Sequence, residues 1–437
     1  MNALPMDDPE RVALHNEVHA RPSARIRLPA FIVLVGVFNE GVTREQEWEH
    51  LKKLQPSLSL QDMQGNFVRL RLDQYTLKWE RHTEFTRYSL VQTLPDAAGL
   101  DNQDPELMPH LILPQSWLAT IPGRTFSAIK LIMLNHDLSD PQAALDKAKH
   151  WFGGSPVIAS RMGNPAHSLV ATDFKLRANG FERMLVLAAP GTGRSRAGRV
   201  SQRLLELETY RLMALRGLPA AKNVSAQLGH AEKELTQIID SLEQKDCDDQ
   251  ALLTRLIGLA AKVERLTAEN AYRFAATAAY DKLVQERVAE LRESPISGTQ
   301  TIGEFMKRRL SPAMATVAAT AQRMASLSER ISRASALLRT RVDIATEEQN
   351  QVLLEKLTQG QELQLRLQST VEGLSIAAIC YYVISLLLYA GKAVKAAGFD
   401  IQPELIAGLF IPLVLWSVWS ANKKIQDRLY KRHGRDT

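Results

Sequence analysis

Cysteine is nearly missing from this chain: 437 residues carry two, Cys247 and Cys380. They lie far apart, which excludes a disulfide framework and any CxxC redox or zinc motif, and a reducing compartment is expected. Cys247 sits in the acidic turn Asp246-Cys247-Asp248-Asp249, a setting that disfavours a reactive thiolate. Aromatic residues make up 6 % of the chain and are not interleaved with basic ones, so a nucleic-acid partner is not expected in spite of a pI near 9.2. No GxSxG nucleophile elbow occurs. The first residues, MNALPMDDPERV, lack both a basic and an apolar signal region, so no secretory leader is expected and the following several hundred residues belong in the cytosol. The chain reads as a non-enzyme.

What is present is apolar and unevenly placed. Apolar residues are 45 % and charged residues 23 %, with a net charge of +6 and a mean hydropathy of -0.17, a globular balance for two or three structural units. Two runs depart from it. Leu374 to Ala390 and Leu405 to Ala421 are each 17 residues without a charge, at the lower edge of what spans a bilayer as a helix. Tyr389 stands near one end of the first run, Trp416 and Trp419 near one end of the second, and Pro412 is tolerable in a membrane helix. The tail beyond holds Lys423, Lys424, Arg428, Lys431, Arg432 and Arg435, whereas the loop 392–404 holds only Lys392 and Lys395. By the positive-inside rule both termini face the cytosol. The pair reads as a transmembrane hairpin.

Upstream of residue 194 the sequence alternates as strands do, and downstream helix formers dominate. FIVLVGVF (Phe31 to Phe38) suits a strand buried on both faces and is followed by the helix-like REQEWEHLKKL. Asn66 to Leu72, Tyr75 to Arg81 and Glu84 to Gln92 suit an antiparallel meander, and Phe126 to Leu134 another strand. Asn179-Gly180 predicts a two-residue hairpin turn. The expected fold class is an α+β cytosolic domain (1–193), then long antiparallel or coiled-coil helices and a C-terminal two-helix transmembrane hairpin. The helices divide into a helical hairpin region (194–297) and a long stalk (298–373). The first span follows (374–391), then an outer loop (392–404), the second span (405–421) and a basic tail (422–437). With no proline between Pro312 and the first span, the stalk is expected to run into the membrane as one helix, roughly 80 residues or about 120 Å.

The stalk carries a seam. Val317, Ala321, Met324, Ser328, Ile331, Ser335, Leu338, Val342, Ala345, Gln349 and Val352 alternate in steps of four and three, the heptad spacing. It serves either self-association, with Ser328, Ser335 and Gln349 as polar layers of a water-filled axis, or packing against preceding helices of the same chain.

Two further clusters bear on chemistry. In LHNEVHARP, His15 and His19 share one helix face and could hold a metal, but Glu17, two residues after His15, turns about 200° away. The competing reading has them dock the helix on the sheet domain. After FERMLVLAAP comes GTGRSRAGRV. Gly193 and Gly198 have GxxxxG spacing, yet Arg199 and Val200 stand where a phosphate-binding loop needs Lys and Ser or Thr. Backbone amides at the helix start, with Arg194, Arg196 and Arg199, offer an anion site; a basic connecting loop is the alternative.

LHNEVHARP together with QLRLQSTVEGLSIAAICYYVISLLLYAGKA resembles a bacterial family of uncharacterised membrane-anchored proteins, a domain of unknown function, over nearly the whole chain. That resemblance implies topology and no reaction. In the order of its elements the chain also resembles CorA-type magnesium transporters, which are pentamers with a Tyr-Gly-Met-Asn motif at the pore mouth. Tyr389 is kept, but Ala390, Gly391 and Lys392 replace Gly-Met-Asn. A ring of Lys392 would repel a divalent cation, which argues against that selectivity. The expectation is a homo-oligomer in the bacterial inner membrane, its partners the lipid bilayer and further copies of itself. Its cytosolic domain would sense or dock a ligand, and a CorA-like channel of altered selectivity is the alternative. Tyr389, Gly391, Lys392, Ser328, Ser335 and Gln349 are the pore candidates.

Overall fold

The uncharged run at residues 30–38 forms β1 (Ala30–Phe38), buried along almost its whole length. Its alternate side chains feed two different layers. Phe31, Val33, Val35 and Val37 enter one apolar core, and Ala30, Ile32 and Leu34 enter another. This is why the run reads as continuous rather than alternating. β1 pairs antiparallel with β4 (Phe85–Thr93) on one side and with β5 (Arg124–Asn135) on the other. A register shift at Gly36 leaves room for the Phe126 ring, 2.9 Å from where a Cβ would stand.

A computed structural model describes residues 8–11, 14–15, 24–58, 65–101, 106, 111–244, 248–397 and 402–433. Beyond β4 lie β3 (Tyr75–Arg81) and β2 (Phe67–Arg71), the antiparallel meander. Beyond β5 lie β8 (Glu182–Ala188), β7 (Ser168–Thr172) and β6 (Ile158–Met162), closed by the short β9 (Glu293–Pro295). The order is β2-β3-β4-β1-β5-β8-β7-β6-β9, with β5 and β8 the parallel pair. One face is covered by α1 (Arg44–Lys52), α2 (Gln115–Ala119) and α3 (Pro141–Ala148), which deliver Trp48, Trp117 and Leu145 to the first core. α1 starts at a capping box, Thr43 with Gln46, and α3 at Asp140 with Pro141 behind it, both residue patterns that favour a helix N-terminus.

The other face is covered by α4 (Arg194–Leu215), which lays Ala197, Val200, Leu204, Leu207 and Met213 on the second core. α5 (Gly217–Leu242) follows after a single break at Arg216, with Pro219 in its first turn where no amide partner is needed. α6 (Asp249–Leu291), capped by Asp248, folds back along it. α7 (Ile302–Arg309) and α8 (Ser311–Ala396) complete the order before the last helix, α9 (Pro403–His433). The chain forms two compact units, 1–335 and 336–437. The change in composition at residue 194 coincides with the start of α4, whose buried face belongs to the sheet domain. Asn179-Gly180 turns the chain, with the Gly180 amide donating to Arg177 O at 2.9 Å, but the β7–β8 ladder resumes only at Thr172 and Met184. The two-residue hairpin is therefore wider than expected. Phe174 takes a left-handed φ of 48° and the Asp173–Arg177 ion pair (2.6 Å) fills the corner.

In the first unit the expected α8 seam is buried at Val317, Met324 and Ile331, but Leu327 and Ala334 take the buried positions for which the spacing names Ser328 and Ser335. Arg323 fixes α8 to α5 through Glu232 (2.8 Å) and Ser225 (3.0 Å). The seam there packs within its own chain, with Ser328 and Ser335 half-buried beside it. In the second unit residues 343–371 of α8 are exposed throughout, Gln349 and Val352 among them. α8 and α9 are long and apolar enough to cross a membrane, and only 6 % and 11 % of their apolar stretches is buried. Cys380, Ala407 and Val414 are buried along this pair. Gly391 admits Pro403, 3.2 Å from where a Cβ would stand. Tyr389 and Lys392 are exposed.

Candidate functional site

The helical period of α4 puts Arg196, Arg199 and Arg203 on one face, three and four residues apart, while its opposite face is buried in the sheet. Two other elements meet that basic face. The β6–β7 turn brings Gly163, Asn164 and His167, and the end of α6 brings Glu290 and Arg292. Together they line a cavity of about 240 Å³.

Each wall is fixed by its own local bonds. The Gly163 amide donates to Leu291 O at 3.1 Å, tying the turn to the end of α6. Gly163 has a φ of +88°, and any Cβ there would lie 2.2 Å from His167 Nε2, so the glycine is what seats the imidazole. His167 Nδ1 shares a 2.8 Å hydrogen bond with Ser168 Oγ. Arg292 closes α6 in the left-handed conformation, φ 51°. The adjoining Glu293 carboxylate accepts from Ser160 Oγ (2.6 Å) and from the amides of Ile302 (3.1 Å) and Gly303 (2.8 Å). The corner that leads into α7 is therefore anchored to the sheet.

The electrostatics are one-sided. Glu290 is the one carboxylate in the lining, and it is shared between Arg203 (3.0 Å) and Arg287 (2.8 Å). Arg196, Arg199 and Arg292 have no ion-pair partner among the described residues. Burial holds the His167 imidazole below its usual range, and the charges of Arg196, Arg199 and Arg203 lower it further. An uncompensated positive field in a polar cavity is suited to bind an anion rather than to perform acid–base work.

Behind this pocket runs a buried chain of charge. Arg287 reaches Glu206 (2.7 Å), Glu206 approaches Arg87 (4.0 Å), and Arg87 and Lys78 both hold Glu80 (2.9 Å each). Burial raises the Glu80 carboxyl, but Arg87 and Lys78 outweigh it and keep it ionised below its usual range. A second cluster joins Glu182 of β8 to Glu208 and Arg211 of α4. Burial, then the charge of Glu208, pushes Glu182 up to about 9.

Of the five residues expected at an anion site, Arg196 and Arg199 enter the cavity. Gly193 is the N-cap of α4 with Arg194 next to it, outside the lining. Gly198 faces the other way, so close to the Ala24 carbonyl that an added Cβ would stand 1.6 Å from its oxygen. His15 is exposed, His19 lies outside the described residues, and among the described residues no cluster of ligands fit for a metal is found. Arg203 continues a helical spacing already present in the sequence. Arg292, Glu290 and His167 carry no local signal, because separate turns and helix ends deliver them.

Residues 6–429 match the family described as Protein of unknown function (DUF3422), and the chain belongs to that family. No curated protein and no solved structure matches it.

Proposed function

We propose that this DUF3422 member is a membrane-anchored, homo-oligomeric, non-enzymatic protein whose sheet domain is a cytosolic sensing or docking module. The observation that carries the reading is the exposure of its apolar helices. Tyr381, Tyr382, Leu386 and Tyr389 of α8 and Leu409, Leu413 and Trp416 of α9 are each more than half exposed. Fully burying one such side chain is worth about 1.5–3 kcal/mol, so water is a poor solvent for this pair and lipid a good one. The basic residues that follow the apolar run in α9, from Lys423 onward, support both termini on the cytosolic side of a bacterial inner membrane.

Self-association rests on a different stretch. Leu353, Leu357, Leu367, Val371 and Leu374 are exposed on α8 at positions that keep heptad spacing, a stripe suited to parallel copies of the same helix. Washing membranes at alkaline pH tests the anchor: the full chain stays with the lipid, and its release would overturn the reading. The order of sheet domain, helix hairpin, one 86-residue helix and a second apolar helix also favours a CorA-like channel of altered selectivity. Lys392→Asn should then raise cation flux in liposomes, and flux unchanged from background would count against it.

A further inference from the structure

We propose that the cavity between α4, the β6–β7 turn and the end of α6 binds a phosphate monoester or diphosphate group, gripped by Arg196, Arg199, Arg203 and Arg292. This site does not depend on the anchoring reading. Four guanidinium groups face one carboxylate across it, so three positive charges stay uncompensated until an anion enters. A singly charged ion would leave most of that field unbalanced, whereas a phosphate dianion or a diphosphate would neutralise it. Guanidinium forks match the oxygen spacing of phosphate in paired hydrogen bonds, which makes arginine the residue suited to this group.

Size and lining narrow the class. The cavity of about 240 Å³ holds roughly eight waters at about 30 Å³ each, ample for a diphosphate. No Phe, Tyr or Trp lines it and the one ring present is the His167 imidazole, so the arginines and the phosphate they match carry the recognition. Occupancy has a structural consequence. Arg292 lies next to Glu293, the carboxylate that anchors the start of α7, so a bound phosphate braces the corner from which α7 and then α8 depart.

The test is calorimetric titration of the full chain, in neutral detergent at about 100 mM salt, with inorganic pyrophosphate, glycerol phosphate and succinate. Pyrophosphate should bind and succinate at least tenfold more weakly. The exposed pair R196Q/R199Q should lose about tenfold or more in affinity, as expected for two charge-assisted contacts. If that pair melts at a lower temperature than the parent, R292Q alone gives the reading. Micelles doped with short-chain phosphatidic acid separate the sources: binding there without pyrophosphate binding identifies a lipid headgroup as the carrier of the phosphate and still supports the site. No binding of either form, equal binding of succinate, or unchanged affinity in the arginine variants overturns it. Membrane anchoring is read independently from the alkaline wash, so failure of one proposal does not imply failure of the other.

Discussion

Two uncharged apolar runs of this chain meet opposite fates. In β1, Val33 and Leu34 are each 1 % exposed, enclosed by helices on both faces of the sheet. In α8, Tyr382 and Leu386 are each 68 % exposed, although their run is equally free of charge. Composition alone does not separate the two. The difference lies in what the chain supplies around them. β1 is short and flanked by strands that its own hydrogen bonds recruit, so the fold satisfies it. The α8 run has satisfied its backbone within the helix and finds little to bury its side chains against except α9. What the fold does not cover must be covered by something else, and a bilayer accepts a helix that has no unpaired backbone groups.

Substitutions sharpen this contrast. Leu34→Ala should cost about 2–5 kcal/mol, read as a lower urea midpoint for the sheet domain; a change under about 0.5 kcal/mol would mean that β1 is not the centre of the core. Leu386→Arg should leave that midpoint alone yet disfavour insertion by about 2.5–3.5 kcal/mol, read as a shift of the chain out of the membrane fraction. If the variant merely becomes more soluble without leaving a membrane, the run is a surface and not a span. Glu182→Gln tests the buried cluster in the first unit. Glu182 titrates near 9 in the folded chain and near 4.3 unfolded, so the folded state retains a proton that the unfolded state releases. Its stabilising contribution is complete below the lower value and drains away as pH rises to the upper one. The parent should therefore lose thermal stability from pH 5 to pH 9, and the Gln variant should lose less. Equal slopes would place Glu182 in its ionised form.

Much of this contrast can be read before any coordinates. The continuous apolar run of residues 31–38 marks β1, and the two 17-residue runs declare themselves. The expectation is incomplete where distant segments meet. Glu293–Pro295, between two helices, is the ninth strand, paired with β6 more than 130 residues earlier. Three residues carry no period from which a strand can be inferred. The arginine pocket divides the same way. Arg196, Arg199 and Arg203 follow from a helix on one local stretch, whereas Arg292 arrives through a left-handed cap at the far end of a 43-residue helix. The heptad seam of α8 names a stripe and not a partner, and the partner changes along it: α5 covers its beginning through Arg323 and Glu232, while residues 343–371 are left exposed.

The central claim, that the exposed helices are covered by lipid and by further copies of the chain, is tested most directly by native mass spectrometry of the detergent-extracted full-length particle. The account predicts a protein mass that is an integral multiple, two or greater, of 48.8 kDa once detergent is stripped. A single 48.8 kDa chain that stays in solution without detergent would contradict both the anchor and the assembly.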